Sequence, residues 1–352
     1  MTLLSKTVAE IGERALLRHI RGRLPLTTGV KVGPGDDAAA VEIGPVALVT
    51  TDSLVEGVHF RRETAPARLV GRKALTVNLS DVAAMGGIGR YATVSLLLPP
   101  DVTVGWVDAL YDGLLERAAE AGVAIVGGNL ARSREGIVVD VTLLGDSGRL
   151  LLRSGARPGD RVVVTGTLGA AAEGVRLLQE GARLDEDGQL LATGVWTESS
   201  SAAVVACLRA QLDPRPPFAV ARSLAERGLA RAGMDLSDGL STDLLEICAH
   251  SGVAAVIDRS ALPVDPKAAG LARAGGADPF ELALHGGEDY QLLLAIAPEE
   301  IGEVRELARV FGAEITPVGT FVEGEPAVSL RDASGERPLV PGGHDHFRAA
   351  RA

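Results

Sequence analysis

A chain of 352 residues is long enough for two domains of ordinary size, each with its own core. A hydrophobic fraction of 46% excludes a disordered chain. A net charge of -11 without any basic block excludes a nucleic-acid binder, so an acidic protein that handles phosphates needs cations to do so.

The N-terminal MTLLSKTVAEIGERALLRHI interleaves charge with apolar residues at helical spacing, which predicts one amphipathic helix over 3–22 and differs from the apolar core of a signal peptide. Residues 25–35 read as a loop ending at Asp36 and Asp37. The β-branched run 46–51 predicts a short strand with the Asp52 carboxylate projecting from its end. A helix is expected over 66–85, with Pro66 in its first turn and Gly86-Gly87 closing it; Asn78 and Asp81, three apart, share a face. A buried strand over 91–98 stops at Pro99-Pro100, a helix over 104–121 stops at Gly122, and a strand over 123–126 runs into a Gly127-Gly128-Asn129 turn. Residues 137–144 complete a further strand, and the turn-rich stretch 155–160 places a domain boundary near 150–158.

The second half opens with a strand over 161–165 and continues through a helix after Gly169, a Gly- and Asp-rich excursion over 181–195, and a helix near 219–228. Met234–Asp238 leads into a helix over 239–250, strands follow over 253–257 and 291–295, and the tail from 335 is rich in turn residues. Strands and helices mixed in two halves give an α+β class, with domains over 1–153 and 154–352. Cys207 and Cys248 lack a CxxC spacing and read as reduced core thiols, which points to a cytoplasmic protein; no run of about 18 uncharged apolar residues spans a membrane.

Acidic residues recur among Gly, Ser and Thr: Asp36-Asp37, Asp52, Asp81, and Asp235 with Asp238. Any one of these reads as a helix cap or an Asx-turn, but several with the same surroundings form a set of hard oxygen donors suited to magnesium on a polyphosphate. No Gly-Lys dipeptide exists for a P-loop and no protein-kinase signature is present, so metals and backbone amides would do the work of the P-loop lysine.

The motifs GPGDDAAA, TTDSLVEGVHF, GRKALTVNLSDVAAMGG, VGGN, RSGARPGD, DLSDGLSTDL, HGGEDY and GGHDHF, in this order, resemble those of thiamine-monophosphate kinases, within the wider superfamily of aminoimidazole ribonucleotide synthetase. The resemblance implies that two-domain fold, a homodimer whose N-terminal sheets close into a barrel, and transfer of phosphate from ATP to thiamine monophosphate with several Mg2+ ions. It implies magnesium ligands at Asp37, Thr50, Thr51, Asp52, Asp81, Asn129, Asp235 and Asp238. It likewise places ATP contacts at Tyr111, Gly128, Asn129, Arg153 and Ser237, and thiamine phosphate contacts at His59, Glu288 and His344. An acidic Glu suits an aminopyrimidine and a cationic thiazolium, and an imidazole can stack on either ring. Asn129 stands where the family has Asp, which keeps an oxygen donor and removes a charge. That departure leaves open a sensor that binds nucleotide and thiamine phosphate without turnover. Aminoimidazole ribonucleotide synthetase itself is a further alternative, although it should lack the GGEDY loop.

Overall fold

The computed structural model describes residues 3–11, 13–25, 27–32, 40–44, 46–191 and 198–344. Its chain forms two compact units, one of residues 1–82, 88–148 and 183–189, the other of residues 83–87, 149–182 and 190–352.

In the first unit the expected N-terminal helix is divided. A 3-10 turn at Leu3–Ser5 precedes α1 (Val8–Ile11) and α2 (Glu13–Arg21). Thr7 separates the 3-10 turn from α1: it pairs as an isolated bridge with Thr103, and its amide donates to Glu10 Oε2 at 2.6 Å. The stretch expected to be loop carries β1 (Val30–Val32), which pairs antiparallel with β2 (Ala40–Val41) beyond it.

β3 (Ala47–Val55) is followed by α3 (Ala67–Ala84), β4 (Ile88–Leu98), α4 (Val104–Ala121), β5 (Ala124–Arg132) and β6 (Val138–Asp146). The four long strands form one sheet in the order β3-β6-β4-β5. Helix α4 has the bounds its cap residues announce: Thr103 Oγ1 accepts from the Trp106 amide at 3.1 Å, and Gly122 ends the helix in the left-handed region at φ 70°. Along β6, Val139, Val141 and Leu143 are fully buried and alternate with half-buried Asp140, Thr142 and Leu144. One face of the sheet is therefore core, and the other is polar and more open. The β1–β2 pair covers one end of that open face, where Val30 and Val41 pack on Tyr91, Val126 and Leu144.

Two expectations are corrected here. Asp52 lies inside β3, not at its end, because the strand pairs with β6 without a break from Ala47 to Val55. The Gly127-Gly128-Asn129 segment is not a turn either, since β5 continues through it parallel to β4. Gly128 is what permits that close pairing, because a β-carbon there would lie 2.0 Å from the Val94 carbonyl oxygen.

The second unit contains β7 (Arg161–Thr165), α5 (Ala170–Gln179), α6 (Glu198–Leu212), α7 (Phe218–Arg227), β8 (Ala232–Asp235), α8 (Leu240–Ser251) and β9 (Ala254–Asp258). There follow α9 (Pro266–Ala274), α10 (Pro279–His285), β10 (Leu292–Ile296), α11 (Ile301–Val310), β11 (Ile315–Val322), β12 (Val328–Asp332) and β13 (Gly335–Pro338). The sheet order is β13-β12-β9-β11-β7-β10-β8, so part of the tail expected as turns is an edge strand. Both faces of this sheet are covered: Val162 and Val164 pack toward α8 and α10, while Val163 packs toward α7 and α11. Two-sided burial explains why β7 and β10 are unbroken apolar runs. Cys207 and Cys248 are buried thiols whose pKa values burial pushes up to about 12. Among the described residues no helix is long and apolar enough to cross a membrane.

Candidate active site

In the first unit, strand periodicity sorts the candidate ligands. Leu48, Thr50, Asp52 and Leu54 share the core-side face of β3, whereas Thr51 and Ser53 lie on the open face. Thr50 Oγ1 donates to Asp81 Oδ2 on α3 at 2.5 Å, which joins one strand donor to one helix donor. Asp52 lies two residues along on the same face. The register carries Asp52 through Val141 and Val94 to Gly128, which stands on that face about 14 Å away across three strand spacings.

Thr51 and Asn129 are elsewhere. Thr51 Oγ1 lies 3.2 Å from Thr142 Oγ1 on the open face. On that face a polar row crosses the sheet: Ser53 donates to Asp140 at 2.5 Å, Asp140 is registered opposite Ser95, and Asn129 Nδ2 donates to Ser95 Oγ at 3.3 Å. Asn129 therefore does not join Asp52 and Asp81 around one ion within a single chain. Asp37 lies outside the described residues. Tyr111 is 4% exposed within α4, and burial pushes its phenol well above the ordinary range. His59 sits in the turn after β3, where its Nδ1 accepts from the Val55 amide at 3.0 Å.

The second unit brings three separated motifs together through backbone hydrogen bonds. Leu236 N donates to Gln291 O, Tyr290 N to Leu236 O and Glu288 N to Ser237 O, each at 2.8 Å, so GGEDY runs beside DLSDG. Gly287 allows this approach, since a β-carbon there would meet the Ser237 carbonyl oxygen at 2.6 Å. The third segment of the junction is the tail: His344 N donates to Asp238 O at 3.0 Å and Gly343 N to Thr242 Oγ1 at 3.2 Å. Glu288 and Tyr290 both adopt positive φ, 67° and 49°, a strained conformation held by these bonds. Arg153 is exposed on a loop pinned by Ser251, whose hydroxyl accepts from the amides of Gly155 and Ala156, both at 3.1 Å.

Sequence reasoning missed several members of this junction. Asp243, 1% exposed, accepts from the amides of Asp238 and Gly239 at 3.2 and 3.0 Å. Loss of water raises its carboxyl to about 8, with Asp238 and Asp235 adding repulsion. It stands in the DLSDGLSTD stretch, so the motif itself carried the signal. Asp289 accepts from the amides of Gly169 and Ala171 at 2.8 and 3.4 Å and so caps α5. Gln211, whose Nε2 donates to Glu288 Oε2 at 2.5 Å, had no signal at all, because one amide near the end of an apolar helix looks like any other.

A chain of this kind is recognisable by its two halves: the N-terminal domain model of AIR synthase related proteins matches residues 35–146, and the C-terminal domain model matches 157–331. It is a two-domain protein of that class. Within the class, the thiamine-monophosphate kinase of Mycobacterium tuberculosis strain H37Rv is 36% identical over 326 residues, 91% of this chain and 90% of the relative. The crystal structure of thiamine-monophosphate kinase from Stenotrophomonas maltophilia K279a is similar with a TM-score of 0.78 and 34% identity, covering 91% of this chain and 96% of that one. AaThiL complexed with AMPPCP and TMP is similar with a TM-score of 0.74 and 30% identity, covering 96% and 98%. The chain belongs to the thiamine-monophosphate kinase family.

Proposed function

We propose that this chain phosphorylates thiamine monophosphate with ATP to give thiamine diphosphate and ADP. A phosphate oxygen of the acceptor attacks the γ-phosphorus in line, and the bond from that phosphorus to the β,γ-bridging oxygen breaks as ADP leaves. No side chain need act as nucleophile, because the transfer depends on positioning and charge neutralisation. The observation that carries the reading is the junction of DLSDG, GGEDY and the Gly342–His344 tail, which gathers the family's nucleotide and acceptor motifs onto one framework of backbone hydrogen bonds. Kinship with relatives of that name supports it, as does the AMPPCP and TMP complex of AaThiL.

Magnesium is the metal the family implies, and the donor chemistry fits it. Thr50, Asp52 and Asp81 offer hard oxygens on one face of the first unit, and in the second Asp235 and Asp238 lie close enough to Asp243 to add to the rise that burial gives its carboxyl. Among the described residues no three such groups form a metal cluster by themselves; magnesium keeps several waters, takes phosphate oxygens and needs only one or two carboxylates from the protein. Bound ions supply charge neutralisation at the polyphosphate. The chain's own residues position the reactants: Gly128, Arg153 and Ser237 toward the nucleotide, and His59, Glu288 and His344 toward thiamine monophosphate. Two copies pair through the open face of the β3-β6-β4-β5 sheet, where Val49 is 68% exposed.

The test is chromatographic detection of thiamine diphosphate after incubation with ATP, excess magnesium and thiamine monophosphate. Stoichiometric ADP and product are expected. Binding of both ligands with no product would refute the kinase reading and leave the sensor.

A further inference from the structure

Gln211, near the C-terminal end of α6, is 4% exposed. Its Nε2 is committed to Glu288 Oε2 at 2.5 Å, while its buried Oε1 meets no hydrogen-bond donor among the described residues. The amide orientation follows from the neighbour: turned over, Oε1 would face a carboxylate oxygen, acceptor against acceptor. A buried amide oxygen left without a donor is costly, and such a group in a binding region marks where a ligand's N–H belongs.

Glu288 is fixed at both ends. Its backbone is held at φ 67° with its amide bonded to Ser237 O at 2.8 Å, and its carboxylate is held by Gln211. Because the amide oxygen and nitrogen share one carbon, Gln211 Oε1 lies within about 5 Å of Glu288 Oε2. Two acceptors within that distance suit a group that presents two N–H donors, and in the proposed acceptor that group is the primary amine on the pyrimidine ring.

We propose that Gln211 is a specificity-determining residue that accepts one N–H of the exocyclic amine of the aminopyrimidine through Oε1, while Nε2 holds Glu288 to meet the same ring. The proposal rests on the thiamine monophosphate reading above and goes further by naming the acceptor for the amine. A site that pairs an amine in this way rejects analogues lacking it, because its buried acceptors are then unpaired.

The experiment compares thiamine monophosphate with an analogue carrying hydrogen in place of the amine, in the wild-type chain and in Gln211→Met. In the wild type, kcat/KM should fall by roughly tenfold or more on loss of the amine. In Gln211→Met, the KM for thiamine monophosphate should rise by about tenfold while that for ATP stays within about twofold, and the two acceptors should differ by less than about threefold. Gln211→Asn, which keeps the amide but withdraws it, should show intermediate discrimination, and it serves if the methionine variant does not fold. Equal discrimination in the wild type and both variants overturns the proposal, as does a wild type that ignores the amine. A wild-type chain that does not phosphorylate thiamine monophosphate at all overturns the functional reading instead.

Discussion

Asp289 should make the stability of the second unit depend on pH with a definite sign. Its carboxyl is enclosed although the residue as a whole is only half-buried, and desolvation raises its pKa to about 7. The amides of Gly169 and Ala171 oppose that shift, while Asp265 and Glu288 add to it. The folded value lies above the ordinary Asp value of about 3.9, so the stability linked to this group is fully present below pH about 4 and is lost as the pH rises through 7. Three pKa units correspond to a ceiling of about 4 kcal/mol, which partial solvent access reduces to about 2. Asp289→Asn removes the titration, keeps the 2.8 Å bond to Gly169 and gives up the weaker one to Ala171, at a cost of about 1 kcal/mol. The variant should therefore be less stable than wild type by about 1 kcal/mol near pH 3.5, below the unfolded value, and more stable by about 1 near pH 8, a crossover of about 2–4 °C in melting temperature at each end. Calorimetric melts of both proteins at the two pH values provide the test, with other titrations cancelling in the difference. A difference of the same sign and size at both would refute the reasoning.

Asp52→Asn should lower turnover by about a hundredfold or more with a melting temperature close to wild type, since the half-buried carboxylate contributes little packing; a retained rate would remove Asp52 from the site. Gly128→Ala should destabilise the first unit by about 3 kcal/mol, because the added carbon falls 2.0 Å from a backbone oxygen of β4, and a urea midpoint equal to wild type would contradict the strand pairing. Asn129→Asp should lower the magnesium concentration for half-maximal rate if Asn129 ligates an ion, with little change in the maximal rate. An unchanged magnesium titration would leave Asn129 to the polar row with Ser95 and Asp140.

Helices with chemical punctuation were legible residue by residue. Thr103 and Gly122 bracket α4 at its observed ends, and Pro66 immediately precedes α3. Strands buried on both faces, such as β7, were legible as apolar runs. The misreadings come from a sheet with one open face. There β3 continues through Thr51, Asp52 and Ser53, and β5 continues through Gly127, Gly128 and Asn129, so local polarity and glycine content imitate chain ends. Pairing partners decide the matter, and those are not adjacent in sequence. β1 and β2 were missed for the same reason, being short pieces whose apolar residues cover Tyr91 and Leu144 from a distance.

The candidate site divides along a similar line. A motif names residues close in sequence, and DLSDG, GGEDY and the tail do meet, because each contributes backbone groups whose pairing needs only glycine and an extended chain. What a motif does not supply is which side chains share a face. Thr50 and Thr51 are neighbours in one motif, yet strand alternation sends the first to Asp81 and the second to Thr142. Glu288 is legible as a candidate contact, but the group that orients it comes from α6, 77 positions away. Side chains that lie in family motifs can be read from the sequence, whereas Gln211, which holds Glu288 through one amide atom and keeps the other for a ligand, emerges only from packing.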